Sequence, residues 1–195
     1  TKQANRPVKV SVGAGPANLA WHVWFNKDSY YKNAKDLTFA LVPIFNKEMK
    51  ELVKHGATYL QIEDLGAWLP LFSNNQDDYK WIRESIEMMC DGVDAKIGWH
   101  FCFGNAWGND ILSANFQQGY QTVLPYFWNT EGVDEFVLDY ANRGMDGVDF
   151  LIRSHHWIPA VEVLRSMRKR AASSMSPVRS LRLATPSASS PQSSF

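Results

Sequence analysis

The sequence has few of the features that mark membrane, secreted or disulfide-stabilised proteins. No run approaches the roughly 18 consecutive apolar residues of a membrane span, and no signal-peptide pattern is present at Thr1. The two cysteines, Cys90 and Cys102, lie in different contexts, which argues against a disulfide framework. We therefore expect a cytoplasmic protein with no membrane partner. Because position 1 is not methionine, we also expect the sequence to start inside a longer gene product.

The sequence also lacks net charge, but this balance conceals an asymmetry. From Arg153 onward there are seven basic residues and one acid, Glu162, so the residues before Arg153 carry a net charge of −6. An acidic main body argues against nucleic acid as a partner. Eleven of the last 43 residues are serine, with no helical or strand periodicity. We therefore expect a folded domain over residues 1–151 and a disordered, basic, serine-rich tail over residues 152–195.

Four segments have the composition of β-strands, and helical patterns fill the gaps between them. The segments are Val8–Gly15, Ala57–Asp64, Asp94–Cys102 and Glu135–Asn142, with starts separated by 49, 37 and 41 residues. A strand–helix unit that recurs about every 40 residues predicts an α/β fold with a parallel sheet, either open or closed into a barrel.

Two of the helical patterns have clear ends. The first follows a predicted cap at Asp36 and ends before Gly56, and Pro43 inside it should either kink the helix or mark its true start. The second begins at Asp77 and ends before the turn at Gly92.

His100 and Cys102 form the most chemically informative pair in the chain. Side chains two residues apart on a β-strand point the same way, so these two should converge on one point. Imidazole nitrogen and thiolate sulfur are ligands that zinc prefers. The pair ends a predicted strand and is followed by a Gly- and Asn-rich loop, the place where parallel α/β proteins carry their chemistry. The alternative is a buried thiol beside a hydrogen-bonded histidine.

Aromatic residues follow three of the strand ends and have two interpretations. They line a small apolar pocket, or they pack in the core. The residues concerned are Trp21, Trp24, Trp68, Phe72, Phe103 and Trp107.

Four sequence blocks occur in order along the predicted strands. They are Val10-Ser-Val-Gly-Ala-Gly-Pro16, Tyr59-Leu-Gln-Ile-Glu-Asp64, Trp99-His-Phe-Cys-Phe-Gly-Asn-Ala-Trp-Gly-Asn109 and Val137-Leu-Asp-Tyr-Ala-Asn142. Together they resemble the catalytic barrel of the cobalamin-independent methionine synthase superfamily, and within it most closely the epoxyalkane:coenzyme M transferases. The resemblance covers roughly residues 7–150 and implies a partial TIM (β/α)8 barrel of about four βα units.

The resemblance also implies a set of zinc ligands. The family binds one catalytic zinc through a His-x-Cys pair and a second cysteine near the end of the chain, and an acidic ligand is described in methionine synthases. His100, Cys102 and Asp139 match three of these positions. No cysteine follows Cys102 in this sequence, so we expect zinc to be held weakly.

The chemistry that the resemblance implies is alkyl transfer to a thiol. Zinc would hold the substrate thiol as a thiolate, which attacks an epoxide carbon in one branch and a folate-borne methyl in the other. His22 is a candidate proton donor to the alkoxide of an opened epoxide, or else a surface or structural histidine. Glu63 and Asp64 are candidates to orient the substrate, since an acid here holds the amino group of homocysteine in methionine synthases. The alternative for both is a helix cap or a carboxylate bonded to backbone donors.

Three functions remain open on the sequence. The first is a zinc-dependent thiol alkyltransferase that joins coenzyme M to an epoxide in alkene metabolism. The second is a cobalamin-independent methyltransferase that makes methionine from homocysteine and methyltetrahydrofolate. The third, of another class, is a catalytically silent truncated product. We expect this 195-residue chain itself to be inactive, because the second cysteine ligand is missing.

Overall fold

A computed structural model of the chain describes residues 5–102, 105–106, 109–110, 119–139 and 149–150. All of these residues belong to the first of two units in the chain, Thr1–Phe150. The tail at residues 152–195 lies outside the described residues, so its disorder stays a prediction.

Four parallel strands form the central sheet. They are β1 (Val10–Ala14), β2 (Tyr59–Glu63), β3 (Lys96–Phe101) and β6 (Glu135–Leu138), in the spatial order β1-β2-β3-β6. The loop after β3 contains a short antiparallel pair, β4 (Asn105–Ala106) with β5 (Asn109–Asp110). Each predicted strand is present, shortened at one or both ends. The strands neighbour one another in chain order and alternate with helices, so the predicted partial (β/α)8 barrel is confirmed.

Helices follow or precede each strand. They are α1 (Pro16–Trp21), α2 (Ala34–Lys54), α3 (Leu69–Ser73), α4 (Asp77–Cys90) and α5 (Tyr120–Val123), with 3-10 turns at Leu65–Trp68 and Leu124–Tyr126. The predicted bounds of α4 are confirmed. None of the helices in the described part of the chain is both long and apolar enough to cross a membrane.

The predicted cap of α2 is wrong by three residues. Asn33 is the cap, because its side-chain oxygen accepts the N–H of Asp36 at 2.9 Å, and Asp36 lies inside the first turn. The helix also continues through Pro43, which lies on its exposed side, where water can bond to the carbonyl that loses a partner.

The two faces of the sheet differ in polarity. The face toward the helices is apolar, and its buried side chains are Leu60, Ile62, Ile97, Trp99 and Phe101, with Val42, Met49, Ile82, Ile86 and Met89 from α2 and α4. The opposite face, here called the polar face, carries Lys9, Ser11, Tyr59, Gln61, Glu63, Lys96, His100 and Glu135. In a (β/α)8 barrel this second face is the one that points toward the barrel axis.

Positive charge on the polar face lies at the amino ends of the strands. Lys9 donates to Gln61 Oε1 at 2.8 Å, and Lys96 pairs with Glu135 at 2.5 Å. Both ammonium groups also lie 4.7 Å from the ring centroid of Tyr59. These lysines are therefore held in place well before the carboxyl ends of the strands, where the predicted site lies.

Candidate active site

Strand register brings four of the six predicted site residues to one edge of the sheet. Glu63 at the end of β2 pairs with His100 of β3, and His100 pairs with Val137 of β6. Because side chains alternate along strands, Glu63 and His100 lie on the polar face. Cys102 follows the end of β3 and its side chain is hydrogen-bonded to His100, and Asp139 follows the end of β6. The carboxyl ends of parallel strands are where this fold carries its chemistry.

His100 is oriented by a backbone carbonyl. Its Nδ1 lies 3.0 Å from the carbonyl oxygen of Val137, and a carbonyl can only accept, so Nδ1 is the donor in this contact. The hydrogen bond with the Cys102 side chain is the main cause that raises the pKa of His100, followed by the Val137 carbonyl and the charge of Glu63, whereas burial lowers it. A histidine with one nitrogen bonded to a carbonyl is the usual arrangement of a metal ligand.

The side chains at this edge are of the types that bind zinc, but they supply only part of a complete ligand set. Imidazole nitrogen and cysteine sulfur beside one another suit zinc, and a carboxylate is an accepted third ligand. Within the described ranges, however, no group of three or more His, Cys, Asp or Glu side chains has a geometry that could hold a metal ion. The zinc site with Asp139 as third ligand therefore stays a proposal.

Asp64 lies on the other side of β2 from Glu63 and is fully buried. Its Oδ2 accepts the N–H of Ala17 at 3.1 Å, and its Oδ1 accepts those of Asn18 at 3.0 Å and Gly66 at 2.6 Å. Burial raises the pKa of Asp64 to about 6, against the opposing effect of the three amide bonds. These contacts make Asp64 a cap for α1 and for the 3-10 turn after β2, which is the alternative to a substrate role that the sequence left open. A substrate role for Asp64 stays a prediction.

Two glycines allow the loops after β1 and β2 to close around this carboxylate. A Cβ on Gly15 would lie 2.2 Å from Asp64 Oδ2, and a Cβ on Gly66 would lie 2.3 Å from the Cβ of Ala17. Side chains at these positions would push the two loops apart. The pair of loops is therefore a tightly packed support beside the candidate site.

Glu63 is the predicted acid that faces the site edge. Its Oε1 accepts from Ser11 Oγ at 3.2 Å and from Gln61 Nε2 at 3.2 Å. The carboxylate is half-buried and lies close enough to His100 for its negative charge to raise the pKa of that imidazole. Glu63 thus has a fixed position and a charge that is available beside the His-x-Cys pair.

His22 lies apart from this cluster. It is exposed at the end of α1, its Nδ1 lies 2.7 Å from the carbonyl oxygen of Asn18, and its ring neighbours Trp21. In the described part of the chain, no contact joins His22 to His100 or Cys102. A role as proton donor stays a prediction.

Two residues that support the site were not predicted as site residues from the sequence. Trp68 Nε1 donates to the carbonyl of Cys102 at 3.0 Å, and the Tyr120 hydroxyl donates to the carbonyl of Phe101 at 2.8 Å. Both bonds end on main-chain atoms 34 and 19 residues away, which no side-chain motif can reveal. The one available signal is general, since buried Trp and Tyr need a partner for their polar atoms.

Comparisons with known proteins found methionine synthases that are similar to this chain. No family model matches the chain. A methionine synthase of Thermococcus kodakarensis is 33% identical over 150 residues, which are 76% of this chain and 37% of that protein. Methionine synthases of Pyrococcus abyssi and Saccharolobus solfataricus are each 32% identical, over 74% and 62% of this chain and 36% and 29% of their own lengths. The chain thus spans about a third of the curated relatives that it matches.

These relatives support a methionine synthase-like family of transferases. They are named methionine synthases, and the predicted closeness to the epoxyalkane:coenzyme M transferases stays a prediction.

Proposed function

We propose that this chain is part of a zinc-dependent methyltransferase that makes methionine, with homocysteine as the methyl acceptor and methyltetrahydrofolate as the donor. The observation that carries the proposal is the position of Glu63 opposite His100 at the carboxyl edge of the sheet. The similarity of the chain to methionine synthases supports the same reaction.

Charge on the polar face favours an amino-acid thiol over a sulfonate thiol. The ammonium group of homocysteine needs an anionic partner, whereas the sulfonate of coenzyme M needs a cation. Glu63 supplies the anion beside His100, held by Ser11 and Gln61. The lysines described on this face are held at its amino end, by Gln61 and by Glu135.

Each residue then has a distinct part in the reaction. His100 and Cys102 would hold the zinc, with Asp139 as the proposed third ligand, and the Val137 carbonyl orients the imidazole. When bound, zinc would supply Lewis-acid chemistry that keeps the sulfur of the substrate deprotonated at neutral pH. Glu63 would bind the ammonium group and so fix the direction of the sulfur. A bond from sulfur to the methyl carbon forms as the bond from that carbon to the donor nitrogen breaks. The nitrogen keeps the electron pair and takes up one proton, which balances the proton that the thiol gives up, and the donor leaves as tetrahydrofolate.

Alkylation of coenzyme M by an epoxide would require different groups at the same edge of the sheet. It needs a cation for the sulfonate and a proton donor for the alkoxide. His22 is the proposed donor, and its described contacts are with its own helix. Thiol preference therefore separates the two branches.

Thiol binding to the zinc-supplied 195-residue chain tests the proposal. We expect homocysteine to bind more tightly than coenzyme M. Glu63→Gln should weaken the binding of homocysteine about tenfold, equivalent to about 1.4 kcal/mol for a lost charged hydrogen bond. The same variant should leave the affinity for 4-mercaptobutyrate unchanged, since this thiol is homocysteine without its amino group. Glu135→Gln, on the same face but at the amino end, is the matched control and should change neither thiol. Tighter binding of coenzyme M, or an equal effect of Glu63→Gln on both carboxylate thiols, would contradict the proposal.

A further inference from the structure

Two buried aromatic side chains hold the peptide units on either side of Cys102. Trp68 donates from Nε1 to the carbonyl of Cys102 at 3.0 Å, and Tyr120 donates from its hydroxyl to the carbonyl of Phe101 at 2.8 Å. The two rings are neighbours, with centroids 5.9 Å apart. Trp68 and Tyr120 are called the aromatic clamp below. Successive carbonyls on the ligand strand are therefore both fixed by side chains from other segments.

Tyr120 also connects the ends of β3 and β6. Its hydroxyl oxygen accepts the N–H of Asp139 at 2.7 Å while it donates to Phe101. Phe101 and Leu138 are the last residues that β3 and β6 pair in the sheet. The Tyr120 hydroxyl links the two chains one residue further along, at Asp139. The separation of Cys102 from Asp139 is therefore governed by a side chain as well as by the sheet.

The clamp draws on different βα units and is shielded from water. Trp68 comes from the 3-10 turn after β2, and Tyr120 begins α5 ahead of β6. Trp68 is fully buried and Tyr120 is 3% exposed. The bond from Tyr120 to Phe101 is buried, so water cannot readily replace it, and the bond from Trp68 to Cys102 is partly buried. The loss of one donor would leave a buried carbonyl or amide unsatisfied at the ligand end of the sheet.

We propose that Trp68 and Tyr120 are positioning residues, which fix the main chain on both sides of Cys102, and that of Asp139, so that Cys102 and His100 can bind one metal ion. This inference rests on the proposed metal site. The clamp acts through the backbone of the ligands, in the way that partners behind the ligands set the orientation of metal-binding groups. Residues of this kind typically change metal affinity by roughly 10–100-fold when they are altered.

The phenylalanine variant of Tyr120 separates positioning from ordinary core packing. Tyr120→Phe keeps the ring and its volume and removes only the hydroxyl that reaches Phe101 and Asp139. Tyr79→Phe is the matched control, because Tyr79 is also buried but lies in α4, stacked on Tyr126 at 3.9 Å. A residue that only packs would lower thermal stability without changing metal affinity.

The experiment is a cobalt titration of the reduced full chain, followed by thiolate-to-cobalt absorption. We expect Tyr120→Phe to weaken cobalt about tenfold or more and Tyr79→Phe to leave the dissociation constant unchanged. In the metal-free chain, the Asp139 amide should exchange its hydrogen faster in Tyr120→Phe than in the original chain. Thermal melting shows which variants fold. Trp68→Phe, which removes the other donor, provides the same comparison if Tyr120→Phe does not fold.

The outcomes distinguish this inference from the function on which it rests. If the original chain shows no cobalt absorption that depends on Cys102, the proposed metal site is wrong and the positioning role falls with it. If the original chain binds cobalt through Cys102 and Tyr120→Phe binds it equally well, only the positioning role is overturned. Equal weakening in Tyr79→Phe and Tyr120→Phe would also overturn it, because the effect would then be a general loosening of the core.

Discussion

Replacement of Asp64 by asparagine tests how the loops after β1 and β2 are held together. The carboxylate accepts backbone N–H groups from Ala17, Asn18 and Gly66. An asparagine amide has one acceptor oxygen, so it can keep the two donors on Oδ1 but must face the N–H of Ala17 with its own NH2 group. We expect Asp64→Asn to lower the free energy of unfolding by about 1–3 kcal/mol, the cost of a buried donor without an acceptor.

The size of this loss should depend on pH. Burial raises the pKa of Asp64 from 3.8 to about 6, so the folded chain binds the proton more tightly than the unfolded chain. The contribution of Asp64 to the free energy of unfolding therefore falls as pH rises from about 4 to about 6. Between about pH 5 and about pH 7.5 this change amounts to about 1 kcal/mol. Asparagine does not titrate, so the loss caused by Asp64→Asn should be larger at the lower pH.

Urea denaturation at these two pH values measures the effect directly. Asp94→Asn is the matched control, because Asp94 is exposed in the loop before β3, and it should change the free energy of unfolding by less than about 0.5 kcal/mol. A negligible loss for Asp64→Asn would contradict the capping role. A loss that grows with pH would show that the three amide bonds outweigh burial in setting the charge state of Asp64.

Four further predictions follow from the same contacts and from the ligand set. In thermal melts, Gly66→Ala should lower the free energy of unfolding by about 1–3 kcal/mol, because its Cβ would lie 2.3 Å from the Cβ of Ala17. Gly98→Ala is the control and should lower it by less, because the nearest contact of its Cβ would be at 3.3 Å. Asn33→Ala should cost about 1 kcal/mol in circular dichroism melts, since it removes the cap of α2. Metal analysis after dialysis against a mild chelator should find little zinc, and stoichiometric zinc that survives His100→Ala would place the site elsewhere. The 195-residue chain, assayed with zinc, homocysteine and methyltetrahydrofolate, should form no more methionine than its His100→Ala variant; turnover above that control would show that the missing cysteine is dispensable.

The sheet could be predicted because each strand has one apolar face. In β2, for example, Leu60 and Ile62 are buried and alternate with more exposed polar neighbours, which is the pattern of a strand with one face in the core. The start of α2 was harder, because Asn33 and Asp36 are both good caps three residues apart. Only the hydrogen bond from the Asp36 amide to Asn33 decides between them.

The candidate site could be predicted only where its residues are local in sequence. His100 and Cys102 are two residues apart at the end of a predicted strand, so side-chain alternation predicts their convergence. The position of Glu63 opposite His100 depends on the register between β2 and β3, which the sequence of either strand leaves open. The bonds from Trp68 and Tyr120 end on main-chain carbonyls, so nothing in the residues that accept them predicts the contact.

The proposed function requires that His100 and Cys102 bind the same metal ion. Zinc-edge X-ray absorption of the zinc-supplied 195-residue chain tests this claim, with sulfur expected at about 2.3 Å and imidazole nitrogen at about 2.0 Å from zinc. Cys90→Ser should leave the sulfur signal unchanged, because burial, with the charges of Asp134 and Glu87, raises the pKa of the Cys90 thiol to about 12 and keeps it protonated. Cys102→Ser should abolish the sulfur signal, and His100→Ala should remove the imidazole contribution. A sulfur signal that survives Cys102→Ser, or zinc bound by oxygen atoms only, would contradict the account.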